Sequence, residues 1–177
     1  GVFVVGEDLG TVEPHVRQWL AQTGMLSFRL LYFESQSPES YPPAAMAAVT
    51  THDLPTLAGV WLGPSPASAD VPAYPTASQH ASIRERLQAM LGLSGEESVE
   101  QFIAAVYRRL GAAPSLLLPA SLDDALAVRD QPNVPGTTNQ WPNWSLALPG
   151  GIEALEQSAL AQEIAAALSE RIAPATS

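Results

Sequence analysis

An α/β fold built on parallel strands is what the pattern of this chain predicts. Four short runs are apolar on both faces. Helical stretches with one apolar face alternate with them. Acidic or polar residues collect where the runs end. Strands apolar on both faces belong to parallel sheets covered by helices. Acids at the C-terminal ends of strands suggest a (β/α) barrel, whose catalytic groups sit on that face. Pattern alone also fits an open doubly wound sheet.

The first run, Val2–Val5, leads to Glu7-Asp8. A helix follows over 12–23, with Val12, Val16, Trp19 and Leu20 on one face, Pro14 in its first turn and Gly24 as its stop. The second run, Leu26–Phe33, closes on Glu34, and residues 35–44, with Pro42 beside Pro43, form an irregular connection. The third run, Met46–Thr51, meets His52-Asp53. Residues 63–79 are rich in Pro, Ser and Ala and predict a surface loop. Two amphipathic helices follow, over 81–91 (Ile83, Leu87, Leu91) and 97–110 (Phe102, Val106, Leu110). The fourth run, Ser115–Leu118, continues to Asp123-Asp124. One long alanine-rich helix is expected within 151–173, with Ile152, Leu155, Ile164, Leu168 and Ile172 spaced for one face. No internal repeat is visible. The chain opens inside an apolar run and carries half the strands of an eight-stranded barrel, so a fragment is expected.

Composition narrows the function. With 46% apolar and 15% charged residues, the 177-residue chain is globular rather than disordered. No stretch approaches the roughly 20 apolar residues of a membrane span. The net charge of −10, with only eight Lys plus Arg, argues against nucleic acid, whose phosphates need basic patches. Such acidity suits a neutral ligand such as a sugar, and equally suits mere solubility. There are no cysteines, and His15, His52 and His80 lack ligand spacing, so neither disulfides nor a metal site is expected.

Three segments could carry chemistry. In Gly6-Glu7-Asp8-Leu9-Gly10, the glycines allow a tight turn and close ligand approach. A partly buried carboxyl there could hold a proton as a general acid. The structural alternative is that Glu7 or Asp8 caps the next helix or pairs with Arg17. In Thr50-Thr51-His52-Asp53-Leu54-Pro55-Thr56, adjacent His and Asp can grip hydroxyls from opposite sides of a hydrogen bond. Alternatively, Thr51 or Asp53 is an N-cap and Pro55 opens the next helix. The third segment, residues 131–144, holds Asn133, Trp141, Asn143 and Trp144, which together suit sugar rings and hydroxyls. Taken singly, Trp141 and Trp144 fit better as plugs for the core. Tyr32, Phe33 and Trp61 pose the same choice, and most of these aromatics are expected in the core. These residues support a polar, acidic cleft at one end of the strands without naming a reaction.

Taken in order, VVGEDLG (4–10), LLYFE (30–34), AAVTTHDLPTLAGVW (47–61), PSLLLPASLDDAL (114–126) and NVPGTTNQWPNW (133–144) resemble the amylomaltase, or 4-alpha-glucanotransferase, family of glycoside-active barrels. They span most of the chain from residue 1 to about 145. GEDLG alone is weak, whereas GEDLG, THDLPT and NVPGT in this order are specific. The resemblance implies the later half of a (β/α)8 barrel, from its fifth strand onward, with residues 1–177 all part of one catalytic domain. It implies Glu7 as the general acid/base. It implies Asp53 as the carboxylate that holds the distorted sugar in the transition state, and His52 as a hydroxyl ligand beside it. Phe33 and Asn133 correspond to residues lining sugar subsites.

The implied reaction transfers an α-1,4-glucan segment, with retention, to the 4-hydroxyl of an acceptor glucan or glucose. One carboxyl protonates the leaving oxygen while a second, roughly 5–5.5 Å away, attacks the anomeric carbon. In the family that nucleophile ends the fourth strand, upstream of Gly1, so none is expected in this chain and the polypeptide alone is expected to be inactive. The implied partners are a malto-oligosaccharide or a starch- or glycogen-type glucan, and the N-terminal half of the same enzyme. No cofactor is implied, and the implied location is the cytoplasm. Uncovered, the edge strands and inward side chains of such a piece favour aggregation or loose packing. Two rival readings are an α-1,4-glucan hydrolase of the alpha-amylase clan and a non-catalytic glucan-binding module.

Overall fold

The computed structural model describes residues 2–65, 71 and 76–169. Its centre is a parallel ladder. β1 (Ser27–Leu30) and β2 (Ala45–Ala48) pair in parallel, from Ser27 opposite Ala45 to Leu30 opposite Ala48. Val5 makes a parallel bridge to Leu26 on one side, and Leu117 makes one to Met46 on the other. The four apolar runs therefore lie side by side in chain order, with no reversal among them.

Regular pairing is shorter than the apolar runs. Residues 2–5 and 115–118 contribute single bridges rather than full strands. β1 stops at Leu30 because the N–H groups of Phe33 and Glu34 both bond to the Leu30 carbonyl at 2.9 Å, which curls the chain into a turn. The first run is also not buried: Val2, Phe3 and Val4 are 90%, 64% and 50% exposed. Among the described residues it pairs with a neighbour at one edge only, through Val5 and Leu26.

Helices occupy the connections. α1 (Pro14–Thr23) starts with Pro14 and ends at Gly24, whose left-handed φ of 71° lets its N–H reach back to the Leu20 and Ala21 carbonyls. Leu20 is the buried residue of its face, whereas Trp19, expected beside it, is exposed. The connection 35–44 contains one 3-10 turn, Pro38–Ser40. After β2 come α2 (Leu57–Leu62), α3 (Ala77–Leu91) and α4 (Val99–Gly111). α2 is capped by Thr56, whose hydroxyl accepts from Gly59 N, rather than by Thr51 or Asp53. Much of the expected loop 63–79 lies outside the described residues. α4 is the hub of the core: Phe102, Ile103, Val106, Tyr107 and Leu110 are all buried. Its first turn is closed by a capping box of Ser98 and Gln101. Trp61 of α2 stacks on Phe102 at 4.5 Å between ring centroids.

The fourth run feeds a short helix, α5 (Leu122–Ala125). Where one long C-terminal helix is expected, the described residues form α6 (Ile152–Gln157) and α7 (Ala159–Ser169). The break falls at Ser158, which has extended backbone; its hydroxyl donates to Ala125 O and accepts from Ala161 N. α7 packs on α4 through Leu160 and Ile164, while Ile152 is 70% exposed and Ile172 lies outside the described residues. Among the described residues no helix is long and apolar enough to cross a membrane.

Candidate functional site

The C-terminal ends of the parallel segments converge on an open cleft of about 470 Å³. Glu7 comes from the end of the first, Phe33 from the turn after β1, His52 and Asp53 from the loop after β2, and Pro119 from the end of the fourth. Four of the five residues singled out by motif thus line one cavity. The fifth, Asn133, donates from Nδ2 to Asp53 Oδ1 at 2.6 Å.

Local structure explains why Glu7 faces the cleft. Its neighbour Asp8 is 1% exposed; its carboxylate accepts from Phe28 N at 2.7 Å and from Arg17 Nε at 3.1 Å. Asp8 N donates to Gly6 O at 3.1 Å, so the chain turns at Glu7 and leaves its side chain outside while Asp8 is buried. The pairing with Arg17 proposed from sequence belongs to Asp8. Glu7 itself is exposed, not partly buried as expected for a carboxyl that must hold a proton. The two glycines work differently from one another. Gly10 has φ +74°, which a tight turn requires. At Gly6 a Cβ would come within 2.5 Å of Leu20 Cδ2, so its smallness admits helix α1 rather than a ligand.

The loop after β2 is a compact turn. Asp53 N donates to Thr51 Oγ1 at 3.3 Å and Leu54 N to Thr51 O at 3.2 Å. Leu54 is buried, which leaves His52 and Asp53 projecting from the crest. His52 Nε2 lies 3.2 Å from Asp53 Oδ1. Both His52 and Asn133 therefore address the same carboxylate oxygen, Oδ1. A carboxylate presented this way accepts hydrogen bonds from hydroxyls, and the imidazole can donate one or accept one.

Residues 131–144 divide between core and surface. Trp141 is buried and its indole N–H donates to Gln131 O, as a core plug would. Asn143 is consumed inside the loop, accepting from Val134 N and donating to Thr137. Trp144 is instead 66% exposed, sits at φ +62° and packs its ring against His52 at 4.9 Å. A non-glycine residue held in that region is strained and marks a loop whose shape is over-determined by its surroundings. Tyr32 and Trp61 are core, as expected; Phe33 is 51% exposed in the cleft.

A second cavity of about 200 Å³ lies on the other side of His52, toward Ser121 and Pro132. Behind it is a residue that sequence reasoning passed over. Asp124 is completely buried and accepts from Leu57 N at 2.9 Å and from the Tyr107 hydroxyl at 2.8 Å. Burial pushes its carboxyl up to about 6, despite those two donors. The same burial, with Asp124 beside it, drives the Tyr107 phenol far above its usual range. An acid pair following an apolar run was the available signal, but a pair does not reveal which member is buried. Among the described residues no three His, Cys, Asp or Glu side chains gather as metal ligands.

Known proteins resemble this chain in sequence and in fold. The glycoside hydrolase 77 family model, described as 4-alpha-glucanotransferase, matches residues 1–152. A 4-alpha-glucanotransferase of Mycobacterium tuberculosis (strain ATCC 25618 / H37Rv) is 36% identical over 201 residues, covering 99% of this chain and 28% of that protein. One from Haemophilus influenzae is 26% identical, covering 80% of this chain and 24% of that protein. The crystal structure of amylomaltase from Corynebacterium glutamicum superposes with a TM-score of 0.77 at 30% identity, over 95% of this chain and 29% of that one. The amylomaltase from Streptococcus agalactiae in complex with acarbose superposes at 0.60 with 19% identity, over 96% and 31%, and speaks to the fold alone. The chain thus spans less than a third of the length of these relatives.

Proposed function

The chain belongs to the 4-alpha-glucanotransferase family, and on that premise we propose that it supplies part of the active site of an enzyme that moves α-1,4-glucan segments between glucan acceptors. The observation that carries this reading is the convergence of Glu7, Phe33, His52 and Asp53 on one cleft, with Asn133 bonded to Asp53. Four parallel segments in unbroken chain order fit successive strands of a barrel better than a doubly wound sheet, whose strand order reverses. We read them as the later half of a (β/α)8 barrel, with residues 1–177 all belonging to its one catalytic domain.

In the proposed mechanism Glu7 protonates the leaving glycosidic oxygen and later accepts the proton of the incoming 4-hydroxyl. Asp53 accepts hydrogen bonds from ring hydroxyls of the distorted sugar through its carboxylate, and His52 holds a hydroxyl of the same sugar. Phe33 offers an apolar face to a sugar ring, and Asn133 contributes at the subsite edge. The second carboxyl, the nucleophile, is assigned to a segment outside residues 1–177. That segment belongs to a preceding half barrel, which also covers Val2, Phe3 and Val4. Its arrival over the cleft would desolvate Glu7, the condition for a carboxyl to hold its proton near neutral pH.

Products of the complete enzyme on maltotriose test the reading. Glucose together with oligomers longer than the substrate means transfer. Shortening alone means hydrolysis of the same bond and replaces transferase by hydrolase. Binding without turnover means a glucan-binding module.

A further inference from the structure

Helix α2 starts four residues after Asp53 and has only six residues, too few to hold itself in place. One segment, residues 124–133, grips it at both ends. At the N-terminus the Asp124 carboxylate accepts from Leu57 N, inside the core. At the C-terminus the Arg129 guanidinium donates to three carbonyls, Leu62 O at 2.9 Å and Gly63 O and Pro64 O at 2.8 Å each. The negative group therefore faces the positive end of the helix and the positive group its negative end. Between them, the Arg129 carbonyl accepts from Thr56 Oγ1, the cap of the same helix. That carbonyl lies so close that a Cβ at Gly59 would stand 2.8 Å from it.

The grip extends to the candidate site. From α2 back to Asp53 the chain has little slack: Leu54 and Thr56 are buried, and the Thr50 hydroxyl donates to Pro55 O. The gripping segment then continues to Asn133, which bonds the Asp53 carboxylate. We infer that Asp124 and Arg129 are positioning residues for the reaction, holding helix α2 so that Asp53 and His52 meet the sugar in the transition-state geometry. This rests on the assignment of Asp53 above. Neither residue touches the 470 Å³ cleft. Misplacing a reacting group by an ångström costs catalysis far more than it costs binding, so the effect falls on kcat.

The test uses the complete enzyme on maltotriose, with kcat, KM and melting temperature measured for each variant well below its own melting point. Asp124→Ala is expected to lower kcat about tenfold or more, with KM changed about twofold at most. Asp124→Asn, which keeps an acceptor for Leu57 N, is expected to recover most of that loss. Arg129→Met keeps the apolar stem on the surface and is expected to lower kcat about fivefold, with Arg129→Lys in between. A merely structural role would move melting temperatures and leave kcat per folded molecule alone. That result in Arg129→Met, or equal losses in Asp124→Ala and Asp124→Asn, overturns the inference. Should Asp124→Ala not fold, Arg129→Met decides. A wild type without transfer activity overturns the functional reading, and this inference with it.

Discussion

Two acid pairs follow parallel segments in this molecule, Glu7-Asp8 and Asp123-Asp124, and they are put to different uses. In both, the second acid is buried and the first is not. Asp8 is buried against a guanidinium and one backbone N–H. Asp124 is buried against neutral donors only, a backbone N–H and a phenol. The first pair spends its buried member on pinning a loop, so that its partner looks into the cleft. The second spends its buried member on gripping a helix, while Asp123 borders the smaller cavity. Adjacent acids in a sequence therefore say little until it is known which one is inside and what charge meets it there.

The comparison can be broken first at Asp8. Asp8→Ala leaves Phe28 N without its acceptor and Arg17 without its counter-charge, and should cost the complete enzyme about 3 kcal/mol in urea unfolding. A loss below about 1 kcal/mol would mean that the loop does not depend on it.

Next is the pH dependence of the other buried acid. The Asp124 carboxyl stands at about 6 in the folded protein against an ordinary 3.8. Because the folded value is the higher one, the contribution of this group is complete below 3.8 and is lost as pH rises through 6. The span corresponds to about 3 kcal/mol at most. The stability of wild type relative to Asp124→Asn should therefore fall between pH 4 and pH 7 (~3 kcal/mol at most). A difference that is flat with pH would show that burial does not oppose this charge.

A smaller effect is expected at Thr56. Removing its cap with Thr56→Ala should cost about 1–2 kcal/mol, read by thermal unfolding. Smallest of all, Glu7→Gln should change stability by no more than about 0.5 kcal/mol, since Glu7 is exposed.

Much of this arrangement was legible beforehand. The four apolar runs and the helices between them mark a parallel α/β chain, since both-face hydrophobicity has few other outlets. The motif residues gather because parallel strands put their ends on one side. What the pattern could not show was which apolar residues have a partner. Val2, Phe3 and Val4 have the composition of a buried strand, yet they are exposed, and among the described residues that run pairs at one edge only. Trp19 shares a helical face with Leu20, but only Leu20 reaches the space over Gly6. The break at Ser158 depends on a bond to Ala125, far away in sequence. Asp124 escaped notice for the same reason, because its donors come from α2 and α4. Trp141 and Trp144 lie three residues apart with the same composition around them. One is a core plug, and the other lies against His52.

The most direct test of the account asks whether Glu7 is the acid that the cleft requires. The complete enzyme and its Glu7→Gln variant are compared on maltotriose and on α-maltotriosyl fluoride, whose fluoride leaves with little help from a proton. The account predicts a loss of about 10²–10⁴-fold on maltotriose and a much smaller loss in the first-turnover burst of fluoride, which precedes the step in which Glu7 accepts a proton. Equal losses on both substrates, or full activity on maltotriose, would contradict the role given to Glu7 and the site built around it.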